Sequence, residues 1–496
     1  MYLKKMYLKK ILRLTSTALF VGALGLVSTV GSVSTAQANN KLPEIGTAGI
    51  TALSIDQERQ YGAAFIKVAR GSFPMVSDPV LQEYIAELGA KLISQADSVR
   101  FPFNFFLIKN DEINAAAFLG GYVKVHTGLF LYAESEAEFA SVIAHEISHI
   151  TQRHLARSLE AQAGNSQLTV AGLVGAVLLG IANPVAGIAM LQTTVAINAQ
   201  SAINYTRANE FEADRIGIQV MVNAGYDPTA MSTFFGKLSE QYRFSSTPPQ
   251  MLITHPLPTT RITEARDRAA LYPNKYYPPS LDYQLAKARI QVRYGVLKPE
   301  EALQFFQHQL KTRTFKLKDA ALYGQALALL QLNKNKQAKK IMVELAKAQP
   351  NNLFYLDTLT DIDLALKHND EAIARLQKAN NRYTNNPVTT INLAVALQQA
   401  KKYNQAKKLI RDYLRSNETD MIALSVYIDL LNKTDDKVIM YMQRANMAQL
   451  SANYPKALNE LQSARTLATS SADIARIDAH MEQIELEKQE MQTLQN

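Results

Sequence analysis

Apolar residues recur at helical spacing along most of the chain and at strand spacing in two short stretches. Residues 56–70 and 79–97 read as amphipathic helices; in the second, Val80, Leu81, Tyr84, Ile85, Leu88 and Leu92 share one face. Phe101 to Lys109 alternates and is rich in aromatic residues, which predicts a strand. Tyr122-Val123-Lys124-Val125-His126 predicts another, entered through a turn at Gly120-Gly121. Ser135-Glu136-Ala137-Glu138 has the form of a capping box, and the helix it opens carries Phe139, Val142, Ile143 and Ile150 on an apolar side.

The second half of the chain changes pattern. Ala338, Ala372 and Ala406 stand 34 residues apart, and Ala326, Thr360 and Ala394 precede them by 12. Small residues at this period mark tetratricopeptide repeats, whose paired helices stack into an α-solenoid with a concave protein-binding surface. Further copies start at Pro299-Glu300-Glu301-Ala302 and Tyr454-Pro455-Lys456-Ala457. The 51 residues between Ala406 and Ala457 are one and a half periods, which predicts an extra helix, Met421 to Asn432, that interrupts the register.

Two stretches are nearly or wholly without charge. Met1 to Arg13 is basic, Leu14 to Val33 is apolar, and Ala36-Gln37-Ala38 is a small-x-small cleavage site. This layout predicts a cleaved secretory signal peptide over 1–38 and a periplasmic mature chain; the competing reading is an uncleaved membrane anchor. Residues 161–206 contain no charged side chain and hold two apolar arms, Leu168–Ala182 and Val185–Ala199, around Asn183-Pro184. Arms of this length fall short of the roughly 20 residues a membrane span needs. They read as a helical hairpin that either packs in the core, covers a cleft or makes a peripheral membrane contact.

Composition narrows the chemistry. With no cysteine among 496 residues, disulfides, thiol nucleophiles and Cys-ligated zinc are excluded. The formal charge is +9, but Lys4, Lys5, Lys9, Lys10 and Arg13 lie in the acid-free first 38 residues, so the mature chain carries +4. That excess gives no ground for a nucleic-acid partner.

The candidate chemistry sits in His145-Glu146-Ile147-Ser148-His149. Residues four apart share a helix face, so His145 and His149 can meet one metal ion, with Glu146 beside them as a proton acceptor. A metzincin extension needs Gly at 152 and His at 155, but the chain has Gln152 and Leu155, and His154 is one position early. The next acidic cluster is Asn209-Glu210-Phe211-Glu212-Ala213-Asp214. Glu210 and Asp214 share a face there, whereas Glu212 points elsewhere and reads as solvated. A set of His145, His149 and Glu210 leaves a fourth position for water, and Asp214 is placed to hold a ligand histidine. As an edge strand, Tyr122, Val123, Lys124, Val125 and His126 would hold an extended peptide by strand addition; the alternative is an ordinary internal strand.

The histidine box, the Asn209–Asp214 cluster and the stretch Asn114 to Leu129 together resemble the HtpX-like and CAAX-prenyl-endopeptidase group of gluzincin metallopeptidases. The resemblance covers about 45–270. It implies a helical gluzincin domain with a small β-sheet over 39–272; with the repeats read from the spacing, the expected fold is mainly α, this domain followed by a tetratricopeptide-repeat α-solenoid over 273–490. It implies one Zn²⁺ per chain, held by His145, His149 and Glu210, with Glu146 as catalytic base and Asp214 as its helper. Members that combine this domain with repeats are periplasmic, and similarity to them implies that His255 can occupy the fourth metal position and keep the site latent. Arg261 resembles an arginine near that group's active site. The substrates implied are misfolded or stalled outer-membrane β-barrel proteins, and the repeats would bind clients or the barrel-assembly machinery. A chaperone-like role in assembly accompanies this reading. The alternative is an interaction scaffold with a silent peptidase site.

Overall fold

A computed structural model describes residues 53–163, 199–245, 249–295 and 297–495. The expected signal segment 1–38 and the apolar arms within 168–198 lie outside these residues. The fold is mostly helical with one three-stranded sheet. Among the described residues, no helix is long and apolar enough to cross a membrane.

The described residues begin with α1 (Ile55–Ser72), opened by a capping box between Ser54 and Gln57, and α2 (Pro79–Ile93). Asp78 caps α2 by accepting from the Leu81 N–H at 3.2 Å, and Pro79 takes the first helical position, where no donor is needed. The sheet contains β1 (Asn104–Ile108), β2 (Ala115–Phe118) and β3 (Tyr122–His126) in the order β1-β3-β2. Strand β3 is therefore central, parallel to β1 and antiparallel to β2. The Gly-Gly turn is required sterically: Gly121 has φ 89°, and a Cβ there would lie 2.3 Å from the Pro102 carbonyl oxygen.

After α3 (Thr127–Tyr132) comes α4 (Glu136–Thr151), which carries the histidine box. Ser135 caps α4 as expected, but Glu138 reaches back to the Glu134 N–H instead, at 2.8 Å. Phe139, Ile143, Ala144 and Ile147 are fully buried. Each large apolar side chain contributes about 1.5–3 kcal/mol by burial, which fixes the rotation of α4 and so the direction of its histidines. Helices α5 (His154–Ala163), α6 (Ala199–Asn223), α7 (Thr229–Tyr242), α8 (Gln250–Thr254) and α9 (Thr259–Ala269) complete this half. Helix α6 packs on α4. Gly217 permits the close approach, since even a Cβ there would stand 3.3 Å from the His145 backbone nitrogen.

The remaining helices are α10 (Leu281–Arg293), α11 (Pro299–Thr312), α12 (Lys318–Gln331), α13 (Asn335–Ala348), α14 (Leu353–Ala365) and α15 (Asn369–Arg382). They continue with α16 (Pro387–Gln399), α17 (Tyr403–Leu414), α18 (Met421–Lys433), α19 (Lys437–Gln449), α20 (Tyr454–Leu467) and α21 (Ser471–Gln495). The small residues of the repeat are at the contacts: Ala326, Ala338, Thr360, Ala372, Ala394 and Ala406 are all fully buried. The turns within the pairs repeat as well, with Asn333, Lys367, Lys401 and Asp435 each at φ near +60°. Asp435 falls on the same period, but the next turn of this kind, Ala452 at φ 53°, follows after 17 residues, so one extra helix does interrupt the register between Ala406 and Ala457, with the break falling after α18. Helix α18 is the regular first helix of a pair. Buried Met440 occupies the position where earlier repeats have alanine, which hides the period from a search for small residues.

The solenoid touches the first half at both ends. Near its start, the Tyr283 hydroxyl donates to the carbonyls of Ala133 at 2.8 Å and Phe130 at 3.1 Å. Fully buried Arg289 pairs with Asp78, the cap of α2, and with Asp357 in α14, each at 2.7 Å. At its end, Ile477 and Ile484 share a core with Leu53 and Phe65, and Lys67 of α1 pairs with Glu487 at 2.5 Å. Between these contacts lies a cavity of about 910 Å³ bounded by α1, α2, β1 and the repeats.

Candidate metal centre

Helices α4 and α6 and the loop after α8 bring four ligand-capable side chains together: His145, His149, Glu210 and His255. His145 Nε2 lies 2.9 Å from His149 Nε2, 3.4 Å from Glu210 Oε2 and 3.4 Å from His255 Nδ1. Glu210 Oε1 lies 3.3 Å from His149 Nε2 and 3.0 Å from His255 Nδ1. A tetrahedron with metal–ligand distances of about 2.0–2.1 Å has edges of about 3.3 Å. The donor set therefore has the size of a closed four-coordinate site for a small divalent cation.

Charge supports the same fit. His145, Glu146, Glu210 and Asp214 are each at most 4% exposed, so this is a dry environment. Arg261 pairs with Glu210 and Asp214, and with Glu146 buried in the same cluster the carboxylates outnumber that guanidinium, an imbalance that a dication offsets. Among the described residues, neither carboxylate oxygen of Glu146 has a hydrogen-bond partner, and His255 Nε2 is 3.5 Å away. Glu146 is thus a buried, unengaged base beside the donor set.

Each member of the cluster is positioned by another group. His145 Nδ1 faces Asp214 Oδ1 at 2.9 Å. Arg261 binds both oxygens of Asp214, at 2.7 and 2.8 Å, and also reaches Glu210 Oε2 at 2.7 Å and the Pro256 carbonyl at 2.8 Å. Burial disfavours a charged His145 ring, but Asp214 and Glu210 outweigh it and push the pKa up to about 10. In His149 burial dominates, and its pKa falls to about 3. For Glu210, burial is overcome by His255, His145 and His149, which hold its carboxyl below the usual range. Asp214 is lowered in the same way, against burial, by Arg261 and His145.

For three residues the local pattern does not give the contacts, although Arg261 is singled out by the resemblance. Arg261 binds the carboxylates of α6 from a separate helix, so no local spacing announces it. His154 contacts His149 because Arg153, with φ 54°, breaks the helix and turns His154 back. Glu212, expected to be solvated, instead pairs with His154 at 3.1 Å and Arg157 at 2.9 Å.

The cleft at the cluster has a volume of about 270 Å³ and is lined by Ala116, Ala117, Phe118, Glu146, His149, Glu210 and His255. The expectation that Tyr122, Val123, Lys124, Val125 and His126 receive a peptide by strand addition is not met. Both sides of β3 are taken by neighbouring strands, and Val123, Lys124, Val125 and His126 are buried. Burial also lowers the pKa of Lys124 and takes that of His126 down to about 4. The edge that borders the cleft belongs to β2.

Residues 79–269 match the profile of peptidase family M48. The beta-barrel assembly-enhancing protease of Escherichia coli (strain K12) is 41% identical over 470 residues, spanning 94% of this chain and 96% of that protein. The protein of the same name from Yersinia pestis is 41% identical over 457 residues, 90% of this chain and 92% of the relative. More distantly, the mitochondrial metalloendopeptidase OMA1 of Arabidopsis thaliana is 30% identical over 135 residues, 27% of this chain and 25% of that one.

Proposed function

The chain belongs to peptidase family M48 and is a metalloendopeptidase, and on that premise we propose that it is a periplasmic zinc enzyme acting in outer-membrane β-barrel assembly. Its substrates are misfolded or stalled barrel proteins, and the repeats bind clients or the assembly machinery. The assignment to barrel assembly rests on the relatives, which are named beta-barrel assembly-enhancing proteases. The division into a signal peptide (1–38), a peptidase domain (39–272) and a repeat domain (273–490) belongs to the same reading.

One observation carries the chemistry: four ligand-capable atoms converge at tetrahedral spacing beside the unpartnered carboxylate of Glu146. His145, His149 and Glu210 hold the metal, and Asp214 orients His145. Bound zinc supplies Lewis acidity, which makes a water more acidic and polarises a carbonyl. Glu146 takes a proton from the attacking water and later delivers it to the leaving amine. An extended substrate pairs with the outer edge of β2, which no strand covers among the described residues, so binding rests on backbone hydrogen bonds and tolerates many sequences.

His255 completes the donor set from the turn between the short helix α8 and Pro256, and as a fourth ligand it would leave no position for a water. This supports a latent resting state, opened when the loop withdraws. The same contact favours a second role, assistance to assembly while the site is shut. Glu146→Gln separates the two. It keeps the shape of the side chain but removes the base, so hydrolysis of an unfolded barrel protein falls by about 10²–10⁴ while metal content is unchanged. If the variant degrades that substrate at the parental rate, the mechanism is wrong. If it restores barrel assembly in cells lacking the protein, assistance does not require cleavage.

A further inference from the structure

His154 lies outside the four-ligand set, yet it is only 3% exposed and in van der Waals contact with it. The break at Arg153 turns its ring edge-on to His149, with centroids 4.8 Å apart. Nδ1 of His154 lies 2.8 Å from Nδ1 of His149, and Nε2 of His154 lies 3.1 Å from Glu212 Oε2. Arg157 fixes Glu212 from its other side at 2.9 Å.

With His154 neutral, these contacts allow one consistent assignment of protons. A carboxylate can only accept, so Nε2 of His154 donates to Glu212. Nδ1 of neutral His154 then carries a lone pair and accepts from Nδ1–H of His149. With its proton on Nδ1, His149 presents the lone pair of Nε2 to His145, Glu210 and His255. As a metal ligand, His145 would hold the same tautomer by a shorter route, its Nδ1 facing Asp214 directly. The two histidines of α4 are thus matched: one held by a carboxylate, the other by a carboxylate acting through a second imidazole.

We infer that His154 and Glu212 are positioning residues for His149, fixing the tautomer and ring orientation with which it binds the metal. The inference rests on the reading of His149 as a ligand. It explains why Glu212, two residues from Glu210 and on a different face of α6, is tied down by His154 and Arg157 instead of being solvated.

The test measures zinc affinity of the full-length mature protein by competition with a chromophoric chelator, alongside the Tm of the metal-free form. His154→Phe keeps a ring of similar shape and loses both nitrogens; His154→Asn keeps an acceptor near the position of Nδ1. His149→Ala serves as the ligand control. The expected result is a 10–100-fold weaker affinity for His154→Phe with little change in the metal-free Tm, and recovery of most of the loss in His154→Asn. Parental affinity in His154→Phe, with affinity lost in His149→Ala, overturns the positioning role and leaves the ligand assignment standing. Equal loss of metal-free Tm and affinity in both His154 variants also overturns it, as packing alone. Parental affinity in His149→Ala overturns the ligand assignment and the inference with it.

Discussion

Arg261 holds Asp214 with two parallel hydrogen bonds, Nε to Oδ2 at 2.7 Å and Nη2 to Oδ1 at 2.8 Å. Its remaining nitrogen reaches both Glu210 and the carbonyl of Pro256, next to His255. One planar fork therefore ties together a carboxylate behind His145, a carboxylate of the donor set and the loop that carries the fourth donor. Lysine retains the charge but cannot match that geometry. Arg261→Lys is expected to weaken zinc binding by about 10–100-fold in a chelator competition. An unchanged affinity would reduce Arg261 to a structural ion pair.

Metal binding is expected to expel a proton. In the metal-free protein the pKa of His145 is raised to about 10, so the ring is charged at neutral pH, whereas a metal ligand must be neutral. Zinc affinity should then rise with pH up to about 10. The sign for metal-free stability is opposite. The raised pKa stabilises the fold fully below about 6.5, and that contribution is lost as pH rises through about 10. Calorimetry of zinc binding in buffers of differing ionisation enthalpy measures the released proton directly; no buffer dependence contradicts the assignment.

The outward-facing backbone of β2 can be read from its register. The His126 N–H donates to the Asn114 carbonyl at 3.0 Å, and bonded pairs alternate along antiparallel strands. Ala116 and Phe118 therefore bond inward to Lys124 and Tyr122, while Ala117 directs its N–H to the free edge. Proline is tolerated on an edge strand but removes that donor. Ala117→Pro should lower kcat/KM for unfolded protein by about tenfold, the effect of one hydrogen bond, with little change in metal content. Unaltered kcat/KM would exclude strand pairing at this edge.

Removing the fourth donor should release activity. If His255 closes the site nine-tenths of the time, His255→Ala exposes about tenfold more working enzyme. Time courses of self-cleavage and of substrate loss measure this. A rate equal to the parent's would leave His255 without a gating role.

Local periodicity made the centre of the site legible. His145 with His149, and Glu210 with Asp214, are each four apart on helices that pack together, so spacing anticipated which side chains face each other. The mainly α fold and its repeats were legible for the same reason. Contacts across distant segments leave no period: Arg261 with Asp214, Arg289 with Asp78, and Lys67 with Glu487 depend on how finished helices dock. The strand was misjudged because alternation reports that a strand exists but not its place in a sheet. Glu212 was misjudged because its helix face was read without the turn at Arg153, which supplies its partner.

Arg289 gives the second half of the chain a claim on the first. Its charge is buried between Asp78, which starts α2, and Asp357, which lies in α14. Replacing the repeats with a foreign array would strand Asp78 in the interior without its cation, at a cost of about 3–5 kcal/mol. That is a large share of the roughly 5–15 kcal/mol by which folded domains exceed their unfolded chains. Recombination that shuffles repeat arrays between genes is thus penalised at this joint.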